Sequence, residues 1–266
     1  MGALTRSVGR ARHLRRVARH TVAYARHLVR GNAIAGDVSW TSPGAVPVVL
    51  AHGFLGTRGS MQMLARRLRR DGRVVVSYSH GTFQIRSLRA SAQELADHLA
   101  RLQDELRVER FDVVGFSMGG LTALHAVKFL ALHRLVRRLV LLGSPVDGTP
   151  AGYLGVATLG WMSPSVWQVL PGSPFLRELR EAPLPTPLPI RQIHAAQDVL
   201  CPLPAPVEGV RKEDFVVLPG GHSSLVVARP FYLKVREFLN PEVEAAQSGP
   251  RSIPPPFPEA SELVGS

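Results

Sequence analysis

Cysteine is almost missing from this chain: Cys201 is the only one in 266 residues. A single thiol excludes an intramolecular disulfide and any metal cluster built on several thiolates. No stretch approaches the roughly 20 consecutive apolar residues that a membrane-spanning helix requires, which excludes a spanning protein. There is no Gly-rich phosphate loop, no internal repeat and no cluster of acids that would ask for calcium. No uninterrupted apolar segment follows the first positive charges, so no secretory signal is recognised. Acidic residues are absent from the first 36 positions; the first is Asp37. What is there is a chain 45% hydrophobic, which excludes disorder for its body, and long enough for one sizeable core.

The net charge of +12 is unevenly placed. Eight arginines fall in residues 1–36, and the remainder holds 24 basic against 20 acidic residues. The body is therefore an ordinary domain with a basic arm. Residues 1–36 are expected to form an amphipathic helix that ends near Gly31-Asn32. In sevens from Leu4, one side holds Ala18, Ala25, Leu14, Leu28, Val22 and Val29; the other holds Arg12, Arg19, Arg26, His13, His20 and His27. Such a helix suits an anionic bilayer surface through residues 1–30, or it packs its apolar side on the body or on a second subunit. Its Arg-rich, acid-free composition also resembles an organellar transit peptide. The histidines stand about 10.5 Å apart along the axis, too far to share one ion.

From Val46 the pattern becomes strands alternating with helices. Apolar, β-branched runs at Val46–Leu50, Val74–Tyr78, Phe111–Phe116, Leu139–Leu142, Ile190–Ala195 and Phe215–Leu218 read as strands buried on both faces. Ser60–Arg70, Ile85–Leu106 and Leu121–Leu132 read as the helices between them. This order predicts an α/β domain over 37–240 with a mostly parallel central sheet flanked by helices. The interval of about 146–189 is too long for a plain loop and holds Trp161, Met162 and Trp167, which suggests a lid or substrate-binding segment. Residues 241–266 contain Pro254-Pro255-Pro256 and read as a disordered, Pro-rich tail.

Gly115-Phe116-Ser117-Met118-Gly119 sits between a strand and a helix, the context of a nucleophile elbow. The strained turn exposes the serine, small neighbours let backbones approach, and the helix N-terminus faces the oxyanion that forms. An elbow serine needs two amide donors. Met118 follows the nucleophile, and Phe54 in Ala51-His52-Gly53-Phe54-Leu55-Gly56 is the second candidate. His52 precedes the serine and reads as a structural histidine bonded to loop backbone.

With these motifs in hand, the chain resembles the α/β-hydrolase superfamily, and within it bacterial triacylglycerol lipases and lipase-like esterases. The matching stretches are AHGFLGT at 51–57, VGFSMGG at 114–120, LGSPVDGT at 142–149 and GGHSSL at 220–225. Val146 is a departure, since lipases of this type often carry histidine there. The resemblance implies an α/β-hydrolase fold with a lid insertion after the sixth core strand, and the chain order Ser, acid, His. His222 then serves as base to Ser117, and Asp198 as the acid, its loop resembling the family's acid loop. Asp147 is the rival acid; otherwise it would hold the Gly148-Thr149 turn. Cys201 reads as a small buried side chain.

The expected activity is serine carboxylic-ester hydrolysis on an apolar acyl ester, with no cofactor and no metal. The same residues would serve an acyltransferase, a thioesterase or an amidase, and a non-catalytic binding protein on this fold is a separate class. The expected partners are a lipid or small-molecule ester and an anionic membrane. No nucleic-acid motif accompanies the basic arm. The expected location is the cytoplasm, with peripheral attachment to membrane.

Overall fold

The computed structural model describes residues 2–29, 46–79 and 85–240, with side chains from Leu14 onward. The Pro-rich segment 241–266 and the end of the arm, 30–36, lie outside the described residues. Six strands form one sheet: β1 Val48–Ala51, β2 Val75–Tyr78, β3 Phe111–Phe116, β4 Val136–Leu142, β5 Ile190–Ala195 and β6 Phe215–Leu218. Their order is β2-β1-β3-β4-β5-β6, and every pairing is parallel.

Parallel strands covered on both faces should be mostly apolar, and these are, apart from Ser77, Asp112, Arg137, Arg138, Arg191, Gln192 and His194. Side chains alternate between two core layers. Val49, Val113, Leu139 and Leu141 point to one, and Leu50, Val114, Phe116, Val140 and Leu142 to the other. Helices α3 (Leu88–Leu106) and α4 (Met118–Phe129) cover the first layer; α2 (Gln62–Arg70), α8 (Ser224–Val227) and α9 (Arg229–Leu239) cover the second. Leu88, Ala92, Leu95, Leu99, Leu102 and Leu106 recur at helical spacing and are all buried, which accounts for the length of α3.

Two boundaries differ from the sequence reading for identifiable reasons. β4 begins at Val136, not Leu139, because the intervening Arg137 pairs with the buried Asp112 instead of facing water. The donors are Arg137 Nε to Oδ1 at 2.9 Å and Nη2 to Oδ2 at 2.6 Å, and Arg73 Nη2 reaches Oδ2 at 2.5 Å. α4 begins at Met118, not Leu121, because Gly119 and Gly120 serve close packing and not a turn.

The interval between β4 and β5 holds α5 (Ala151–Leu159), α6 (Pro164–Gln168) and α7 (Pro174–Glu181). Among the described residues this interval follows the fourth strand, where a position after the sixth was expected. Ser163 Oγ donates to Ile85 O at 2.9 Å and Gln168 Oε1 accepts from Leu88 N at 2.6 Å, tying the segment to the start of α3.

The arm is α1, Gly2–Val29. It packs on the body, but not through the expected side. Val17, His20, Ala23, Tyr24, His27 and Leu28 turn inward, whereas Leu14, Ala18, Val22, Ala25 and Val29 are exposed. The reason is polar as well as apolar: His20 Nδ1 bonds Ser224 Oγ at 2.9 Å and Thr21 Oγ1 bonds Ser223 Oγ at 3.1 Å. Tyr24 meets the Phe116 ring edge-on at 6.1 Å.

Candidate active site

Parallel strands end on one edge, so the loops that leave them meet there. Ala51 pairs with Gly115, Phe116 with Leu142, Leu142 with Ile193, and Ala195 with Leu218. That register sets the loops bearing Phe54, Ser117, Asp198 and His222 along a single edge.

Ser117 connects β3 to α4 at φ 55° and ψ −125°, a region that a residue with a side chain occupies only under constraint. Two close approaches supply the constraint. A Cβ on Gly119 would stand 2.3 Å from Ala51 O, so α4 rests directly on β1. A Cβ on Gly53 would stand 2.8 Å from Ser117 Cβ, so the loop after β1, which also bears Phe54, lies against the serine at Gly53. Met118 is the first residue of α4, where amides have no acceptor within the helix. His52 is buried and its Nδ1 donates to Gly53 O at 3.0 Å, in the backbone-bonding position expected.

His222 Nδ1 donates to Asp198 Oδ2 at 2.7 Å. The other carboxylate oxygen accepts from Leu200 N at 3.0 Å and Cys201 N at 2.9 Å. Asp147 is elsewhere: its Oδ2 accepts from Ala205 N at 2.8 Å and its Oδ1 pairs with Arg180 at 3.3 Å. The structure thus brings Asp198, and not Asp147, to the imidazole. Asp147 also braces the segment after Cys201, where the Gly148-Thr149 turn was expected.

Three positioning groups were not legible in the sequence. Gln197 holds the two loops together: Gly220 N donates to its Oε1 at 2.8 Å and its own N donates to Gly220 O at 2.9 Å. The Phe116 ring stacks at a tilt on the His222 imidazole, 4.7 Å between centres. Cys201 is the third. Its Sγ lies 3.9 Å from Ser117 Oγ and within 4.8 Å of a His222 ring nitrogen, so this buried thiol borders the site. Proximity to Asp198 in sequence was the only hint.

Burial opposes charge on His222, but Cys201 and Asp198 beside it outweigh that and raise its pKa to about 10. Among the described residues, Asp198, Cys201 and His222 are the group whose donor atoms converge closely enough to hold a metal ion.

These features (a strained serine between strand and helix, a carboxylate-bound histidine three strands away, and a Gly-rich loop against the serine) agree with the sequence comparison. A family described as the alpha/beta hydrolase fold matches residues 46–154. The chain has the α/β-hydrolase fold. Among solved structures it resembles Bacillus licheniformis lipase BlEst2 in its mature form, at 15% identity and TM-score 0.59, covering 78% of this chain and 96% of that one. It also resembles Aspergillus fumigatus lipase B, at 17% identity and TM-score 0.57, covering 73% of this chain. The match spans only 55% of the fungal chain. A gene product of Listeria innocua aligns at 15% identity and TM-score 0.54, covering 73% of this chain and 94% of its own. At these identities the likeness is one of fold. A comparison with curated protein sequences gives no match.

Trp161, Met162 and Trp167 are exposed, Trp161 by 84%. The segment's own packing comes from Val166, Val169, Phe175, Leu176 and Leu179 instead. No helix among the described residues is long and apolar enough to cross a membrane.

Proposed function

We propose that this α/β-hydrolase is a serine carboxylic-ester hydrolase of lipase-like type. The observation that carries the reading is the 2.7 Å bond between Asp198 and His222 on the same sheet edge as the strained Ser117. In this reading His222 takes the Ser117 proton as the oxygen attacks the ester carbonyl. The amides of Phe54 and Met118 stabilise the oxyanion. The imidazolium returns its proton to the leaving alcohol, and an acyl-enzyme forms. Water activated by His222 then releases the acid. Asp198 holds the imidazole in the tautomer whose free nitrogen faces the serine, and it stays ionised. Hydrolysis of p-nitrophenyl esters of increasing acyl length, with Ser117→Ala as control, tests catalysis and chain preference together. A fluorophosphonate probe should label Ser117; an unlabelled, inactive protein would favour a binding role.

The substrate class follows from the exposed apolar groups. Trp161, Met162 and Trp167 on the α5–α7 segment, and the outer stripe of α1, are suited to a lipid surface. Leu14, Val22 and Val29 are 63%, 53% and 87% exposed and run beside the exposed Arg15, Arg19 and Arg26. The helix sits on the loop that bears His222, so docking it to anionic lipid would turn the sheet edge toward the bilayer. Replacing Arg15, Arg19 and Arg26 by Glu should abolish co-sedimentation with anionic vesicles at low salt. Unchanged binding would remove α1 from this role.

A further inference from the structure

Cys201 adds a sulfur ligand to a pair that already offers nitrogen and oxygen. One donor atom from each of Asp198, Cys201 and His222 lies within 4.8 Å of the others, and Ser117 Oγ is 3.9 Å from the sulfur. We propose that these side chains form a binding site for a thiophilic divalent cation, Zn²⁺ above all, and that metal occupancy and ester hydrolysis exclude one another. The exclusion rests on the hydrolase reading above; the binding itself does not.

The geometry is close to what the ion requires. Tetrahedral zinc holds sulfur at about 2.3 Å and nitrogen or oxygen at about 2.0–2.2 Å, so neighbouring ligand atoms stand roughly 3.4–3.6 Å apart. Small side-chain shifts bring the donors from their present spacing to that one. The backbone is already set: the amides of Leu200 and Cys201 fix the carboxylate through one oxygen, and Gln197 ties the acid loop to the histidine loop. Sulfur, imidazole and a single carboxylate make a borderline-soft set, which selects Zn²⁺ or Cd²⁺ over Mg²⁺ or Ca²⁺. Ser117 Oγ or water would complete the shell.

Binding displaces the thiol proton to solvent and occupies the imidazole and carboxylate that the reaction uses. A metal-bound imidazole has no lone pair for the Ser117 proton, or has lost the carboxylate that orients it. The ion would therefore act as a reversible block.

The test is a Co²⁺ titration of the metal-free full-length protein, followed by absorption spectroscopy, with Zn²⁺ inhibition of p-nitrophenyl ester hydrolysis measured in parallel. Thiolate ligation should produce a sulfur-to-cobalt charge-transfer band, bleached by Zn²⁺ and absent from Cys201→Ala. Inhibition by Zn²⁺, referred to each protein's own metal-free rate, should weaken at least about tenfold in Cys201→Ala, while Mg²⁺ has no effect. Cys201→Ser provides a second variant should the alanine protein fail to fold. Because the band depends on the one cysteine, ions caught by the histidines of α1 do not produce it. A wild-type protein without the band, or either variant binding Zn²⁺ as tightly as wild type, would overturn the site. An intact band in a protein without esterase activity would overturn the hydrolase reading alone.

Discussion

Exchanging Asp198 for Asn separates the two carboxylates that compete for one role. The side chain keeps its shape, and an amide oxygen can still accept from Leu200 N and Cys201 N, so the loop should stand. What changes is the group 2.7 Å from His222 Nδ1, which becomes an NH₂ donor. The imidazole must then accept at Nδ1 and carry its proton on Nε2, leaving no lone pair to take the serine proton. A wrong tautomer of this kind lowers turnover about 10⁴-fold, or roughly 5.4 kcal/mol of barrier. KM should move little, since the carboxylate is not expected to touch substrate. Asp147→Asn loses a surface ion pair to Arg180, in which both side chains are more than a third exposed. Such pairs contribute little, and the amide can still accept from Ala205 N, so activity should stay near wild type. Initial rates on a p-nitrophenyl ester, with circular dichroism as the folding control, read both variants. The reasoning fails if Asp198→Asn keeps a tenth of the wild-type rate, or if Asp147→Asn falls as far.

Further outcomes follow from the same geometry. Ser117→Ala should lower ester turnover by about 10³ or more while the protein still melts cooperatively, as followed by calorimetry. Only neutral His222 can act as base, and its neighbours raise its pKa to about 10, so kcat/KM should climb with pH well above the ordinary histidine value. Cys201→Ala removes one of those neighbours and should shift the acid limb of the pH profile to lower pH; an unmoved limb would refute the coupling. The sign for stability is opposite: the favoured imidazolium stabilises the fold fully below about 6.5 and loses that effect as pH rises through about 10. Asp112→Ala leaves Arg73 and Arg137 without their buried partner and should cost about 3–5 kcal/mol, visible as a lower urea midpoint at unchanged slope.

Periodicity and turn chemistry are local properties, and they were readable in the chain by itself. The apolar runs from Val46 to Leu218 announced a parallel sheet because strands covered on both faces have no polar side to show. Ser117, flanked by glycines between a strand and a helix, marked the elbow because close backbone approach leaves room for nothing larger. Composition also separated the basic arm from the body. Other features depend on which distant segments meet. Arg137 looks solvent-facing until Asp112 is placed beside it, which is why β4 read too short. The inward face of α1 was misjudged because polar contacts from His20 and Thr21 to Ser224 and Ser223 help to seat it, and apolar spacing is blind to those. The resemblance of its loop favoured Asp198 over Asp147 in the sequence, but the approach of β5 to β6 is what carries it to His222. Cys201 shows the limit most clearly. A single cysteine has no pattern in sequence, and its sulfur gains meaning from the serine and the imidazole that the fold sets around it.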